Sequence, residues 1–234
     1  MAVSIDRVYQ KVLALANKEQ RGYITPQEFN LFADHAQMEI FEQYFYDVEQ
    51  FERRVDSTAE LTKRKIQIFK RFSQAINHGD TIPVEVYKID ASFFSSSGSG
   101  TVMVEELDRD DSNTFNAMVG NSPLTSPTKT RPIYMVVSNK IVFYPSETHS
   151  LGQYTINYIR KPLLPNWTYV IGTNQNALFN PDPSAGWQDF ELHASEESKL
   201  VIKILQLAGV AIKDFNLAQI AGQKEASVKQ QEKQ

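Results

Sequence analysis

The sequence contains no cysteine, which excludes disulfides, thiolate nucleophiles and cysteine-based zinc sites. It has no apolar run near the roughly 20 residues that cross a bilayer, so we expect no membrane segment. The first six residues lack the charged-then-apolar pattern of a secretory signal, and we expect synthesis in the cytoplasm. A basic excess is also missing: the formal net charge of −4 argues against a dedicated DNA-binding protein.

What remains is typical of a soluble globular chain. Its 234 residues suffice for one large domain or two small ones, with 41% hydrophobic and 22% charged residues. Aromatic residues are plentiful, with 14 Phe and 10 Tyr. They supply large buried areas in a core or rigid anchors at an interface.

The clearest local pattern is the start of a long aromatic helix. Gly22 suits the end of a preceding helix, Thr25 suits an N-cap, and Pro26 suits the first helical position. Glu28 completes a capping box with Thr25. Ile24 and Phe29 are spaced for a hydrophobic staple. The inward stripe comprises Phe29, Phe32, Ala36, Ile40, Tyr44 and Val48, and residues 49–56 are expected to form a loop or frayed end.

Three further helices are predicted. Ser4 caps a first helix whose apolar side is Ile5, Val8, Tyr9, Val12, Leu15 and Ala16. A third helix follows Ser57, with Leu61, Ile66, Phe69, Phe72 and Ile76 facing inward, and ends at 77–80. A final helix begins near Ser195 and carries Leu200, Ile204, Leu207, Ala211, Phe215 and Ala218, followed by a polar tail from Gln223.

Between these helices the hydrophobic period changes to that of strands. Strands are predicted where Ile82, Val84 and Val86 alternate, and at 101–107, 154–158 and 168–171. Residues 133–137 and 140–144 should form a hairpin around Ser138 and Asn139, a weaker turn pair than Asn-Gly. Ser- or Pro-rich loops are expected at 95–100, 121–132 and 172–186.

These elements predict an α+β fold. Three N-terminal helices in residues 1–80 and a long C-terminal helix in 187–234 would form a helical bundle. Residues 81–186 would be an inserted antiparallel β-rich lobe with long loops. The last helix must return to the first three, because no other large apolar surface is available to cover its stripe.

Residues 17–28 resemble a calcium-binding loop at several positions, but Arg21 stands where an oxygen ligand is needed. A capped helix start explains the same residues without a metal. The acidic cluster of Asp108, Asp110 and Asp111 lacks the spacing of a known metal loop and indicates a solvated turn. The four histidines are scattered, and no nucleophile or phosphate-binding motif is present, so we expect neither enzyme activity nor a cofactor.

Two charged segments are candidate interfaces. The third helix is basic, and Lys63 with Lys70, like Arg64 with Arg71, would share a helix face at a spacing of seven. That face could contact phosphate, remain solvated or pair with an acidic neighbouring subunit. In the polar tail, Lys224, Glu225 and Gln230 could dock on an assembly partner, or the tail could be disordered.

Segments 9–30, 158–162 and 200–205 resemble virion structural proteins of crAss-like phages. The order of elements is similar to that of head-to-tail adaptor proteins, the tail-tubular class of short-tailed phages. That resemblance implies a helical bundle with an inserted β-lobe, a C-terminal helix reaching toward the portal and no catalytic residues.

The resemblance therefore implies a ring-forming connector in the virion, with about twelve copies stacked on the portal protein or on an adjacent ring or tail protein. Genomic DNA would pass through the channel without sequence-specific binding, and an acidic wall would limit sticking. Two alternatives remain open. One is another virion component, capsid-associated or in the distal tail, and the other is a DNA-binding packaging factor that uses the basic helix.

Overall fold

The computed structural model describes residues 3–18, 24–52, 60–96, 100–107, 126–146, 152–173, 176–211, 223–224 and 226–227. The fold is α+β, and the chain divides into two units. The helical unit comprises residues 1–68 and 162–234, and the sheet unit comprises residues 69–161. The sheet unit is thus inserted between two parts of the helical unit.

The helical unit contains α1 (Ile5–Lys18), α2 (Pro26–Glu52), α3 (Glu60–Gln67) and α4 (Glu197–Ala211). Helix α4 packs against α1 and α2, and α3 packs against α2. Residues 49–56 were expected to form a loop or a frayed helix end, and the structure rules out the loop for the first four of them, because α2 continues to Glu52. Within the predicted first stripe, Leu15 is exposed rather than buried.

The predicted capping box at the start of α2 is confirmed. The Thr25 N–H donates to Glu28 Oε2 at 2.9 Å, and the Glu28 N–H donates to Thr25 Oγ1 at 3.3 Å. Ile24 and Phe29 are both buried. The hydrogen bond from the Thr25 backbone lowers the pKa of Glu28, because it favours the charged carboxylate.

The prediction of a third helix reaching Ile76 is wrong. Helix α3 ends at Gln67, and residues Lys70–Ile76 form strand β1, which leaves Phe72 exposed. Strand β1 pairs with a strand more than 75 residues later in the chain, with an irregularity between Arg71 and Gln74. Ser73 lies there at φ 57°, a value that a right-handed helix does not allow.

The sheet unit contains β1, β2 (Val86–Ser96), β3 (Gly100–Glu106), β4 (Ile133–Val137), β5 (Lys140–Tyr144) and β6 (Gly152–Arg160). Their order across the sheet is β1-β6-β2-β3-β4-β5. The β3–β4 pair is parallel and the other neighbouring pairs are antiparallel. The central core of this unit is Ile76, Ile82, Phe94, Val104, Tyr134, Ile141, Phe143, Tyr154, Ile156 and Tyr158.

The predicted hairpin of β4 and β5 is confirmed to the residue. Ser138 and Asn139 have φ values of 48° and 64°, so this two-residue turn has the left-handed backbone of a type I′ hairpin. By contrast, the strand predicted from Ile82 begins only at Val86. Pro83 cannot donate a ladder hydrogen bond, and the Val86 N–H donates to its carbonyl to close a turn that leaves Val84 exposed.

Residues 172–186 were expected to form a loop, but they include a strand. Strand β7 (Tyr169–Ile171) pairs with β8 (Ala177–Phe179), and a short 3-10 helix follows at Pro183–Ala185. This small hairpin belongs to the helical unit. Its base is fixed by Trp167, which is buried and donates from Nε1 to Asp6 Oδ1 at 3.0 Å.

Candidate functional site

The basic residues predicted to share one helix face are divided between the two units. Lys63 and Arg64 are exposed on α3 of the helical unit. Lys70 and Arg71 lie on β1 of the sheet unit, where Lys70 Nζ is 3.0 Å from Asp90 Oδ2. The predicted heptad pairing of Lys63 with Lys70 and of Arg64 with Arg71 is therefore wrong, because the helix ends between the members of each pair.

The predicted tail contacts are described only in part. Lys224 is exposed and helical. Glu225 and Gln230 lie outside the described residues, as do Gly22, Asp108, Asp110 and Asp111.

Helix α3 is fixed to the rest of its unit by Lys65. Its ammonium group is 2.5 Å from Glu196 Oε1 and 5.6 Å from the centre of the Tyr44 ring. Glu196 lies in a 3-10 turn, Ala194–Glu196, directly before α4, and its side chain is only 3% exposed. A buried carboxylate needs such a partner, so this ion pair connects α3 to the start of α4.

Further ion pairs connect α4 to the first two helices. Glu197 Oε1 accepts from Lys11 Nζ at 2.6 Å and lies 3.1 Å from Arg7 Nε. Lys203 is almost fully buried, and its Nζ reaches Glu39 Oε1 at 2.5 Å. Sequence reasoning missed these contacts, because the partners are more than 130 residues apart and no local pattern connects them.

The side of α2 that faces away from the core carries an unusual set of residues. We call it the outer stripe, and it comprises Leu31, His35, Met38, Glu42, Tyr46 and Glu49. Leu31 is 72% exposed and Tyr46 is 54% exposed. Residues 26–52 contain seven carboxylates and no lysine or arginine. The spacing of three and four is readable in the sequence, but the inward stripe of the same helix carries the stronger apolar pattern.

A second exposed apolar surface lies on the β7–β8 hairpin. Val170, Ile171 and Leu178 are each at least half exposed, and Tyr169 is partly exposed. The ring of Tyr169 stacks on Trp167 with centroids 5.8 Å apart. This hairpin is therefore anchored at its aromatic base and apolar toward its free end.

The described residues do not bring together three or more His, Asp or Glu side chains suitable for a metal ion. Of the calcium-like segment, Glu28 is described, and its carboxylate accepts hydrogen bonds from Thr25 as a helix cap does. His78 Nδ1 lies 2.7 Å from the Phe143 carbonyl, and His193 Nδ1 accepts from the Ser195 N–H at 3.2 Å. Both rings are thus engaged in local structure.

No protein-family profile matches the chain, and no curated protein sequence is significantly similar to it. Among the described helices, none combines the length and the apolar composition that a membrane crossing requires.

Proposed function

We propose that this chain is a structural protein of a tailed-phage virion, a ring-forming head-to-tail connector that sits below the portal. The support is the resemblance of segments 9–30, 158–162 and 200–205 to phage virion proteins, together with the order of elements. In this proposal the helices form a bundle that serves as a rigid wedge, and copies of the wedge tile head to tail around an axis.

The observation that carries the proposal is the insertion of one unit into the other. The chain leaves the helical unit at residue 68, builds a six-stranded sheet, and returns at residue 162. Helix α4 then packs on α1 and α2 and is held there by Glu197 and Lys203. Such an insertion gives one chain two units with separate surfaces, one available for pairing with neighbouring copies and the other for contact with an adjacent layer of the neck.

The proposed chemistry is assembly rather than catalysis. The net charge of −4 suits a channel wall, because like charge limits adhesion of the passing duplex. The portal, adjacent ring or tail proteins and further copies of the chain are the proposed partners.

The proposal is tested by reconstructing images of the neck of the phage particle. A ring of this chain against the portal is the expected result, and location of the chain elsewhere in the particle would contradict it. Native mass spectrometry, with and without portal protein, should detect closed oligomers in at least one of the two conditions.

A DNA-binding packaging factor is the competing function, favoured by exposed Lys63 and Arg64 on α3. The observed end of helix α3 weakens this alternative function, because Lys70 and Arg71 lie on strand β1 and do not extend the basic face of the helix. Binding to duplex DNA that falls steeply with salt, by a monomer, would support this alternative over the connector.

A further inference from the structure

The β7–β8 hairpin has two open edges. Among the residues that the structure describes, β7 and β8 pair only with each other, so neither strand has a second neighbour. Just outside the strands, the Gly172 N–H donates to the Asn176 carbonyl and the Asn180 N–H donates to the Thr168 carbonyl, both at 2.9 Å. These two bonds fix the hydrogen-bonding pattern of the residues between them.

That pattern shows which backbone groups face outward. Hydrogen-bonded and non-hydrogen-bonded pairs alternate along an antiparallel ladder. Val170 and Leu178 lie opposite each other, two residues from each of the bonds just described, and therefore form the bonded pair inside the hairpin. The residues on either side of them turn their N–H and C=O groups to the open edges: Tyr169 and Ile171 on β7, and Ala177 and Phe179 on β8.

The edges of the large sheet are protected, unlike those of the hairpin. Edge strand β1 carries Lys70, Arg71 and an irregularity at Ser73, features that hinder pairing with another chain. The other edge strand, β5, is covered by residues 79–82, and its Ile141 N–H donates to the Asp80 carbonyl at 3.0 Å. Residues 166–180, which include the hairpin, contain no charged residue and no proline. The hairpin therefore lacks the residues that usually prevent pairing at an edge.

The side chains of the hairpin favour a strand as the missing neighbour. Val170 and Leu178 share one face of the hairpin, Ile171 projects from the other, and all three are at least half exposed. A flat protein surface would cover only one of these faces. A lipid surface would cover the side chains but leave the outward N–H and C=O groups without partners, which is costly in hydrocarbon. A strand placed alongside bonds those groups and extends both apolar faces.

A second copy of the hairpin supplies such a strand at each edge. The β8 edge of one copy offers donors, acceptors and uncharged side chains to the β7 edge of another. A strand from a different protein would satisfy one edge of the hairpin and leave the second edge open. A closed series of copies satisfies both edges of every hairpin, so the two open edges favour a further copy of this chain as the partner.

We infer that β7 of one copy pairs antiparallel with β8 of the next copy, so that the hairpins form one continuous sheet through the assembly. Because the two edges differ, the contact is heterologous and propagates around a ring or along a filament. Each strand has only three residues, so a single contact is weak, and closure of the ring through many equal contacts stabilises it. This inference rests on the proposed function and identifies the surface through which its copies tile.

The absence of cysteine in the chain makes the contact testable by disulfide formation. We would prepare Val170→Cys and Leu178→Cys as separate full-length variants, mix them and oxidise them mildly. Between copies these positions form a non-hydrogen-bonded pair, whose Cα atoms lie about 4.5 Å apart, well within the reach of a disulfide. The mixture should give a covalent dimer. Each variant alone should not, because the same strand of the next copy is two strand spacings away, about 10 Å.

Two further mixtures cover a shifted register. Asn176→Cys and Asn180→Cys, each mixed with Val170→Cys, report a displacement of two residues in either direction. A matched control mixes Val170→Cys with Val84→Cys, an exposed position of the sheet unit, and should give no dimer. The inference is overturned if none of the three hairpin mixtures gives a dimer at any protein concentration, with or without portal protein. Dimers of Val170→Cys alone would also overturn it, because they would indicate a two-fold β7–β7 contact.

A charge placed on the open edge provides a second measurement. Ile171→Lys should weaken self-association by about tenfold or more in native mass spectrometry, because a lysine protects an edge strand from pairing. Val84→Lys introduces the same charge at an apolar residue that is 86% exposed in the sheet unit, and it should leave self-association unchanged. Equal self-association of the two variants would reject the hairpin as the contact.

The two levels of the proposal fail separately. A neck ring that contains this chain but gives no disulfide through the hairpins would remove the strand pairing and leave the connector role in place. Disulfide-linked dimers of a chain that is absent from the neck of the particle would leave the strand pairing in place and remove the connector role.

Discussion

The ion pair between Lys65 and Glu196 should be strongly asymmetric when its two halves are removed. The Lys65 side chain is 25% exposed, whereas that of Glu196 is 3% exposed. Lys65→Met leaves a buried carboxylate without its cation, at an expected cost of about 3 kcal/mol of unfolding free energy. Glu196→Gln leaves a partly hydrated ammonium that still faces the Tyr44 ring, at an expected cost of about 1 kcal/mol.

The double variant Lys65→Met with Glu196→Gln removes both charges together. We expect it to cost about 2 kcal/mol, less than the roughly 4 kcal/mol sum of the single changes, because no buried charge remains. Urea unfolding measured by tryptophan fluorescence suits this test. Both tryptophans of the chain, Trp167 and Trp187, lie in the helical unit and report its unfolding.

Lys63→Met is the matched control, since it makes the same substitution on an exposed position of the same helix. We expect it to change the unfolding free energy by less than about 0.5 kcal/mol. If Lys65→Met were no more destabilising than Lys63→Met or Glu196→Gln, the argument from burial would be refuted.

Three further results are expected. Thr25→Ala should cost about 1 kcal/mol in urea unfolding, because it removes the hydroxyl that caps α2, and the pKa of Glu28 should rise toward its ordinary value in an NMR titration. Replacing Ser138 and Asn139 by Asn and Gly should raise the thermal midpoint, because both positions have positive φ; an unchanged or lower midpoint would contradict the turn assignment. Burial, and then a hydrogen bond to Glu106, raises the pKa of Tyr134 above its usual value near 10. The neutral Tyr134 side chain stabilises the folded state fully at pH values below the pKa that it has in the unfolded chain. This contribution is lost as the pH rises through its raised pKa in the folded state. Tyr134→Phe should therefore make the unfolding free energy fall less steeply at alkaline pH.

The parts of the fold that depend on local chemistry were predictable from the sequence. The capping box of Thr25 and Glu28 and the hairpin around Ser138 and Asn139 each involve residues within a few positions of one another. Propensity and turn geometry decide such features before distant contacts form. The prediction that the third helix continues to Ile76 failed for a different reason. Strand β1 replaces the end of that helix because it pairs with β6. No rule based on local spacing contains that pairing.

The candidate site was predictable in its residue types but not in its grouping. The sequence indicates a basic segment that includes Lys63 and Lys70, and the strand at Lys70 places them in different units. Lys203 interrupts the apolar stretch of α4, where sequence alone predicts a plain core helix, and Glu196 stands in a polar turn before that helix, where sequence alone gives no sign of burial. Their role becomes visible only with Lys65 and Glu39 beside them.

The two sides of α2 argue that stability is not the whole reason for its composition. The buried side, with Phe29, Ile40 and Tyr44, already supplies the apolar area that holds the helical unit together. Adding Leu31 and Tyr46 on the exposed side contributes little to a single copy and leaves apolar area in water. On the exposed side, Glu42 and Glu49 add negative charge to a helix that contains no lysine or arginine of its own. Both costs are recovered when a cationic, partly apolar surface of a partner covers the outer stripe.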